Sequence, residues 1–192
     1  MSQAPAQPGA APPAALLFVD DEANILSSLQ RLFRPFGYRI LTAPGGAEGL
    51  EILGREPVDL VISDMRMPHM DGAAFLEQAA ARWPDTVRIL LTGYADIGSA
   101  VAAVNKGGIY RYISKPWEDN DIKLTVQRAL ERQQLQREQR RLEALTQRQN
   151  EELKDLNAGL EAKVRARPQE IRQVLDQLKL SHEELQKSDL TS

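Results

Sequence analysis

Five short, strand-like apolar runs alternate with stretches of helical spacing along the first two thirds of the chain. The run AALLFV, from Ala14 to Val19, is continuously apolar, which is the pattern of a strand buried on both faces. Four more segments share its character: YRILTA (Tyr38 to Ala43), VDLVIS (Val58 to Ser63), VRILLT (Val87 to Thr92) and IYRYIS (Ile109 to Ser114). Between them, Ile25, Leu29, Leu32 and Phe33 fall on one helical face, as do Leu50 and Leu53, then Phe75, Leu76 and Ala79, then Val101 and Val104. Strand-helix-strand crossovers of this length make a parallel sheet covered on both faces. The expected fold is therefore α/β, a doubly wound three-layer sandwich whose active groups collect at the carboxyl ends of the strands.

The chain of 192 residues is longer than such a domain needs, and its composition changes along its length. Residues 1–117 hold nearly all the aromatics and glycines. Residues 118–192 are rich in Glu, Gln, Arg and Leu, with one Pro and one Gly. Charge is nearly balanced in both parts, and a clustered basic face is missing, so nucleic acid is not an expected partner. The absence of Cys excludes disulfides and thiolate metal sites and suits a reducing compartment. The opening MSQAPAQPGAAPPA lacks the basic start and apolar core of a signal peptide and reads as a disordered tail over 1–13. No run reaches the roughly eighteen apolar residues of a membrane span; a cytoplasmic protein is the expectation.

Chemistry-bearing residues recur at the strand ends. LLFVDDE ends the first strand with Asp20 and Asp21, DLVISDM ends the third with Asp64, and Thr92 and Lys115 follow the fourth and fifth. Two adjacent carboxylates on one loop and a third on a neighbouring loop form a hard-oxygen cage, which selects magnesium or manganese. Magnesium needs only one or two protein carboxylates, which leaves Asp64 available as a nucleophile toward phosphorus. Such a transfer needs charge neutralisation more than proton transfer, and the cation and Lys115 would supply it, with the Thr92 hydroxyl donating to a phosphoryl oxygen. Taken singly, each residue has a plainer explanation: helix capping for Asp20 or Asp21, turn chemistry for Asp64 and Thr92, a solvated ammonium for Lys115. Their joint occurrence at consecutive strand ends favours the functional explanation. His69 and His182 lie in polar surroundings and read as solvated; Trp117 reads as packing.

LFVDDE, VISDMRMPHMDG, LLTGYAD and YRYISKPW, in that order, resemble the receiver domain of bacterial two-component response regulators over residues 14–130. The resemblance implies a flavodoxin-like sheet of strand order 2-1-3-4-5, with Asp64 as phosphoacceptor. It also implies Mg2+ (or Mn2+) held by Asp20, Asp21, Asp64 and the Arg66 backbone carbonyl, with Thr92 and Lys115 on the phosphoryl group. Tyr112 matches the switch aromatic that turns inward when Thr92 moves, and the bond before Pro116 is expected to be cis. The partner would be a sensor histidine kinase, and phosphorylation would alter the surface of the fourth helix, fifth strand and fifth helix. A phosphohydrolase of the aspartyl-phosphate type is disfavoured, because Arg66 stands where those enzymes place a second acid. Beyond handling its own phosphoryl group, the chain is not expected to be an enzyme.

Residues 131–192 are expected to form a helical coiled-coil linker. Leu142, Leu145, Leu153, Leu156, Leu160, Val164, Ile171, Val174, Leu178 and Leu185 lie on a stripe with steps of three and four that is interrupted by the polar Gln149, Arg167 and Ser181, with a stutter around Gln149. A lone helix would leave this stripe wet, so the expectation is a parallel homodimer, with an antiparallel fold-back as the lesser alternative. Pro168 predicts a kink or break near Arg167, since Pro in a helix interior costs roughly 3 kcal/mol. YRYISKPW and LEAKVRARPQEI also resemble regulators in which receiver and linker precede an HD-GYP domain, a phosphodiesterase of cyclic di-GMP. The chain carries no such domain and is expected to be part of a longer regulator; the alternative is a stand-alone receiver acting as adaptor or phosphate reservoir.

Overall fold

The computed structural model of the protein describes residues 12–93, 96, 98, 101 and 108–189, the last seven by their backbone alone. Five strands, β1 (Ala15–Val19), β2 (Arg39–Ala43), β3 (Leu60–Asp64), β4 (Val87–Thr92) and β5 (Arg111–Ser114), form one parallel sheet in the order β2-β1-β3-β4-β5. This is the flavodoxin-like arrangement. Every residue of β1 and β3 is buried, whereas the edge strands begin with the exposed Arg39 and Arg111. The apolar runs are longest where helices cover both faces.

Alternate residues of each strand serve opposite sides of the sheet. Leu17, Val19, Val61 and Leu90 pack with Leu53 of α2 (Gly46–Arg55) and with Phe75, Leu76 and Ala79 of α3 (Gly72–Arg82). Leu16, Phe18, Leu60, Ile62, Ile89 and Leu91 pack with Leu29 and Phe33 of α1 (Ala23–Phe33) and with Ile122, Val126, Ala129 and Leu130 of the long helix α4 (Asp119–Asp189). Burying each such side chain contributes about 1.5 to 3 kcal/mol. The helix expected around Val101 and Val104 falls largely outside the described residues.

The chain falls into two compact units, Met1–Gln136 and Arg137–Ser192. The first unit keeps α4 as far as Gln133, whose buried side-chain amide donates to the carbonyls of Asp59 and Asp85. In the second unit every side chain described is exposed. Pairs four residues apart, such as Arg148 with Glu152 and Arg165 with Glu161, line its helix, each contributing only about 0.3 to 0.5 kcal/mol. Pro168 lies inside α4, and the helix continues through it. Of the kink or break expected at Arg167, a break is therefore not what occurs: one lost backbone hydrogen bond is tolerated where the freed carbonyl faces water. The Leu185 side chain lies outside the described residues.

The turn from β3 into α3 is closely packed. Asp71 caps α3 by accepting from the Ala74 N–H at 2.7 Å, and the Gly72 N–H donates to the Met65 carbonyl at 2.9 Å. A Cβ at Gly72 would lie 1.9 Å from the backbone oxygen of Asp64. Backbone cannot yield as a side-chain tip can. Gly72→Ala is therefore expected to lower the urea midpoint by the equivalent of about 3 kcal/mol, and an unchanged midpoint would contradict this packing.

Candidate functional site

Strand register alone brings the acidic residues together. Val19 pairs with Ser63, so Asp20 emerges level with Asp64; Asp64 pairs with Leu91, so Thr92 stands one residue beyond; Thr92 pairs with Ser114, and Lys115 follows. Because β2 and β3 flank β1 on opposite sides, the chain reverses its winding direction at β1 and β3, and the crevice beyond their ends is where ligands of such sheets bind.

Asp20 and Asp64 are buried, at 1% and 6% exposure, whereas Asp21 is exposed. One carboxylate oxygen from each of Asp20, Asp21 and Asp64 lies within 4.8 Å of the other two. The Lys115 ammonium bridges the buried pair, with Nζ 2.9 Å from Asp20 Oδ2 and 2.7 Å from Asp64 Oδ1. Backbone amides complete the shell: the Glu22 N–H donates to Asp20 Oδ1 at 2.8 Å and the Arg66 N–H to Asp64 Oδ2 at 2.9 Å. The donor set is all oxygen, anionic and open on the Asp21 side. It fits a small hard dication.

Burial raises the Asp20 pKa above its ordinary 3.8, outweighing the hydrogen bonds from Lys115 and Glu22 that pull it down, and the neighbouring Asp64 charge adds to the rise. For Lys115, burial acts to lower the pKa, but hydrogen bonds to Asp64 and Asp20 outweigh it and hold the ammonium charged. The pocket carries more negative charge than its cation neutralises, and that is the condition for recruiting another cation.

The remaining expected residues fall around this cluster. Thr92 is fully buried, and its hydroxyl donates to the Gly93 carbonyl at 3.1 Å. The Lys115 N–H donates to the Thr92 carbonyl at 2.7 Å, and the Lys115-Pro116 bond is cis. Tyr112, on β5 two residues before Ser114, is partly buried against the core on the α2 and α3 side, the side that also holds Met67 and Ile109. Trp117 packs against the opposite core. His69 is exposed and has φ of 68°, a left-handed turn position, away from the hydrogen bonds of the acidic pocket.

Two contributors escape a sequence reading. The Arg66 guanidinium pairs with Asp96, which lies beyond the end of β4; only the fold brings residues thirty apart together. Gly72 presses against the Asp64 carbonyl, and the MDG motif marks it as a turn former without revealing the contact.

Residues 16–127 match the family described as response regulator receiver domain. The hydrogenase transcriptional regulatory protein HoxA of Cupriavidus necator is 40% identical over 130 residues, covering 68% of this chain and 27% of HoxA. The DNA-binding transcriptional regulator NtrC of Escherichia coli is 35% identical over 125 residues, covering 65% of this chain and 25% of NtrC. The chain thus spans about a quarter of the length of these curated relatives. Among solved structures, the signal receiver domain of an HD domain-containing protein from Pseudomonas fluorescens Pf-5 superposes with a TM-score of 0.64 at 40% identity, covering 67% of this chain and 95% of that one. A CheY-like receiver domain protein from Methanospirillum hungatei gives 0.61 at 31% identity, covering 65% and 98%.

The raised pKa of Asp20 makes its charge a cost to folding. The folded state takes up this proton more readily than the unfolded chain, so the contribution of Asp20 is full below its ordinary pKa and is lost as pH rises through the raised value. Asp20→Asn is expected to raise Tm by a few degrees at pH 7, with the gain shrinking as pH falls toward 4. Thermal unfolding at the two pH values tests this, and a Tm loss at pH 7 would contradict it.

Proposed function

The chain belongs to the response regulator receiver domain family, and from that membership we propose that Asp64 is the phosphoacceptor of a two-component phosphorelay. The observation carrying this reading is the convergence of three carboxylate oxygens within 4.8 Å with an ammonium already bridging two of them. Asp20, Asp21, Asp64 and the Arg66 carbonyl would hold Mg2+ (or Mn2+). When bound, the cation neutralises charge on the transferring phosphoryl group. An Asp64 carboxylate oxygen forms the new bond to phosphorus as the bond to the donor imidazole of a sensor histidine kinase breaks. Lys115, within reach of Asp64, neutralises the phosphoryl oxygens, and Thr92 turns its hydroxyl from Gly93 toward them. Tyr112 follows Thr92 and alters the adjoining surface.

The relatives are regulators, and Arg66 puts a cation where aspartyl-phosphate hydrolases place their second acid, which supports a switch over an enzyme. No described helix is long and apolar enough to cross a membrane, in keeping with a cytoplasmic location. The similarity to the receiver of an HD domain-containing protein, with the LEAKVRARPQEI linker, supports an HD-GYP-type output in the whole protein. A stand-alone adaptor is the second reading.

The helical unit supports a parallel homodimer as the relay. Leu142, Leu153, Val164 and Leu175 recur at steps of eleven residues, and Leu145, Leu156 and Leu178 repeat the same spacing with Arg167 between; all seven apolar side chains are exposed, at 51% to 69%. Leu175 extends the stripe expected from sequence. Eleven residues in three turns is 3.67 per turn, which lets two helices keep their seam in contact with little or right-handed supercoiling.

Two experiments test these readings. With Mg2+ and acetyl phosphate, wild type and His69→Ala are expected to take up phosphate and Asp64→Asn to take up none. Phosphate-labelled mass spectrometry decides this, and uptake by Asp64→Asn would end the assignment. Leu153→Glu is expected to convert the dimer to monomer by light scattering, leaving phosphate uptake intact; a monomeric wild type would remove the coiled coil.

A further inference from the structure

Arg66 and Asp96 form a two-pronged ion pair at the rim of the site. Arg66 Nε lies 2.6 Å from Asp96 Oδ2 and Nη2 lies 2.9 Å from Oδ1, the parallel geometry that fixes a guanidinium in orientation. The pair ties the loop two residues beyond Asp64 to the turn four residues beyond Thr92. Arg66 is 72% exposed on its side chain and Asp96 only 19%, so the guanidinium is the partner free to move.

The backbone of each partner connects to the surroundings of the acidic pocket. The Arg66 backbone N–H donates to Asp64 Oδ2, and the Asp64 charge adds to the larger effect of Asp96 in keeping the guanidinium protonated. On the other side, the Gly93 carbonyl accepts the Asp96 N–H at 3.1 Å and also the Thr92 hydroxyl at 3.1 Å. One carbonyl therefore gathers the turn that holds Asp96 and the hydroxyl expected to move.

The geometry points to Asp96 as a positioning residue that holds the Arg66 guanidinium off the phosphoacceptor and surrenders it when Asp64 carries a phosphoryl group. This rests on the assignment of Asp64 above. A guanidinium binds phosphate with the same two-pronged geometry as carboxylate, and a phosphoryl group brings between one and two negative charges and three acceptor oxygens against the single charge of Asp96. Arg66 reaches it without crossing between elements, since it stands two residues away on the same loop. The exchange deprives the turn at Gly93 and Asp96 of two contacts at once, the guanidinium and the Thr92 hydroxyl. Phosphorylation then loosens the exit of β4 through Arg66 as well as through Thr92.

The test measures affinity for beryllofluoride with Mg2+ in wild type, Asp96→Asn, Asp96→Glu, Arg66→Gln and the Arg66→Gln/Asp96→Asn double variant. Asp96→Asn is expected to bind about fivefold tighter, the scale of a modest coupling energy, because Arg66 no longer has to be withdrawn from a carboxylate. Asp96→Glu restores near wild-type affinity, Arg66→Gln binds more weakly, and in its background Asp96→Asn changes nothing. An unaltered affinity in Asp96→Asn, or the same tightening with Arg66 removed, overturns the positioning role while leaving the phosphoacceptor standing. Binding that persists in Asp64→Asn overturns the phosphoacceptor assignment and this role with it.

Discussion

Two carboxylates side by side out of water repel each other unless a cation sits between them, and the Lys115 bridge between Asp20 and Asp64 meets that requirement. The rest of the first unit is arranged to keep this contact. Parallel pairing sets Asp20 level with Asp64, the cis bond at Pro116 follows directly on the lysine, and the Gly72 approach closes the loop beneath Asp64. One ammonium is still too little charge for three acids. Burial raises the pKa of Asp20 and the neighbouring Asp64 charge adds to it, and the three acids together form a cluster that fits a small hard cation.

The rim of the site is also tied by charge. Arg66 answers Asp96 across two loops, and its own backbone amide answers Asp64. Such contacts depend on the balance of charge around Asp64, because a cation's preference follows the charges near it. Packing contacts of the core have no such sensitivity.

Helix α4 is fastened to the strands that carry these groups. Ile122, Val126, Ala129 and Leu130 lie in the core with β1, β3 and β4, and Gln133 holds the carbonyls of Asp59 and Asp85, just before β3 and β4 begin. Asp64 and Thr92 stand at the other ends of those two strands. Beyond Gln136 the described leucines of the helix are exposed.

Much of this was legible in the chain itself. The apolar runs marked all five strands, β1 and β3 being buried along their whole length and the edge strands β2 and β5 in part, and the acids at the ends of β1 and β3 announced the site because polar groups interrupt such runs only at their ends. The third strand proved to include Asp64, since backbone pairing with Leu91 continues past the apolar run. Sequence spacing also warned of Pro168 and left a kink and a break both open; the helix continues through it. Local pattern, then, determines where strands and helices form and which residues stand at their ends. Distance in space is a property of register and of loop closure. That is why the ion pair of Arg66 with Asp96, the anchorage of Gln133 and the contact of Gly72 with Asp64 were decided only by the tertiary structure, each being a meeting of residues whose separation along the chain carries no trace of it.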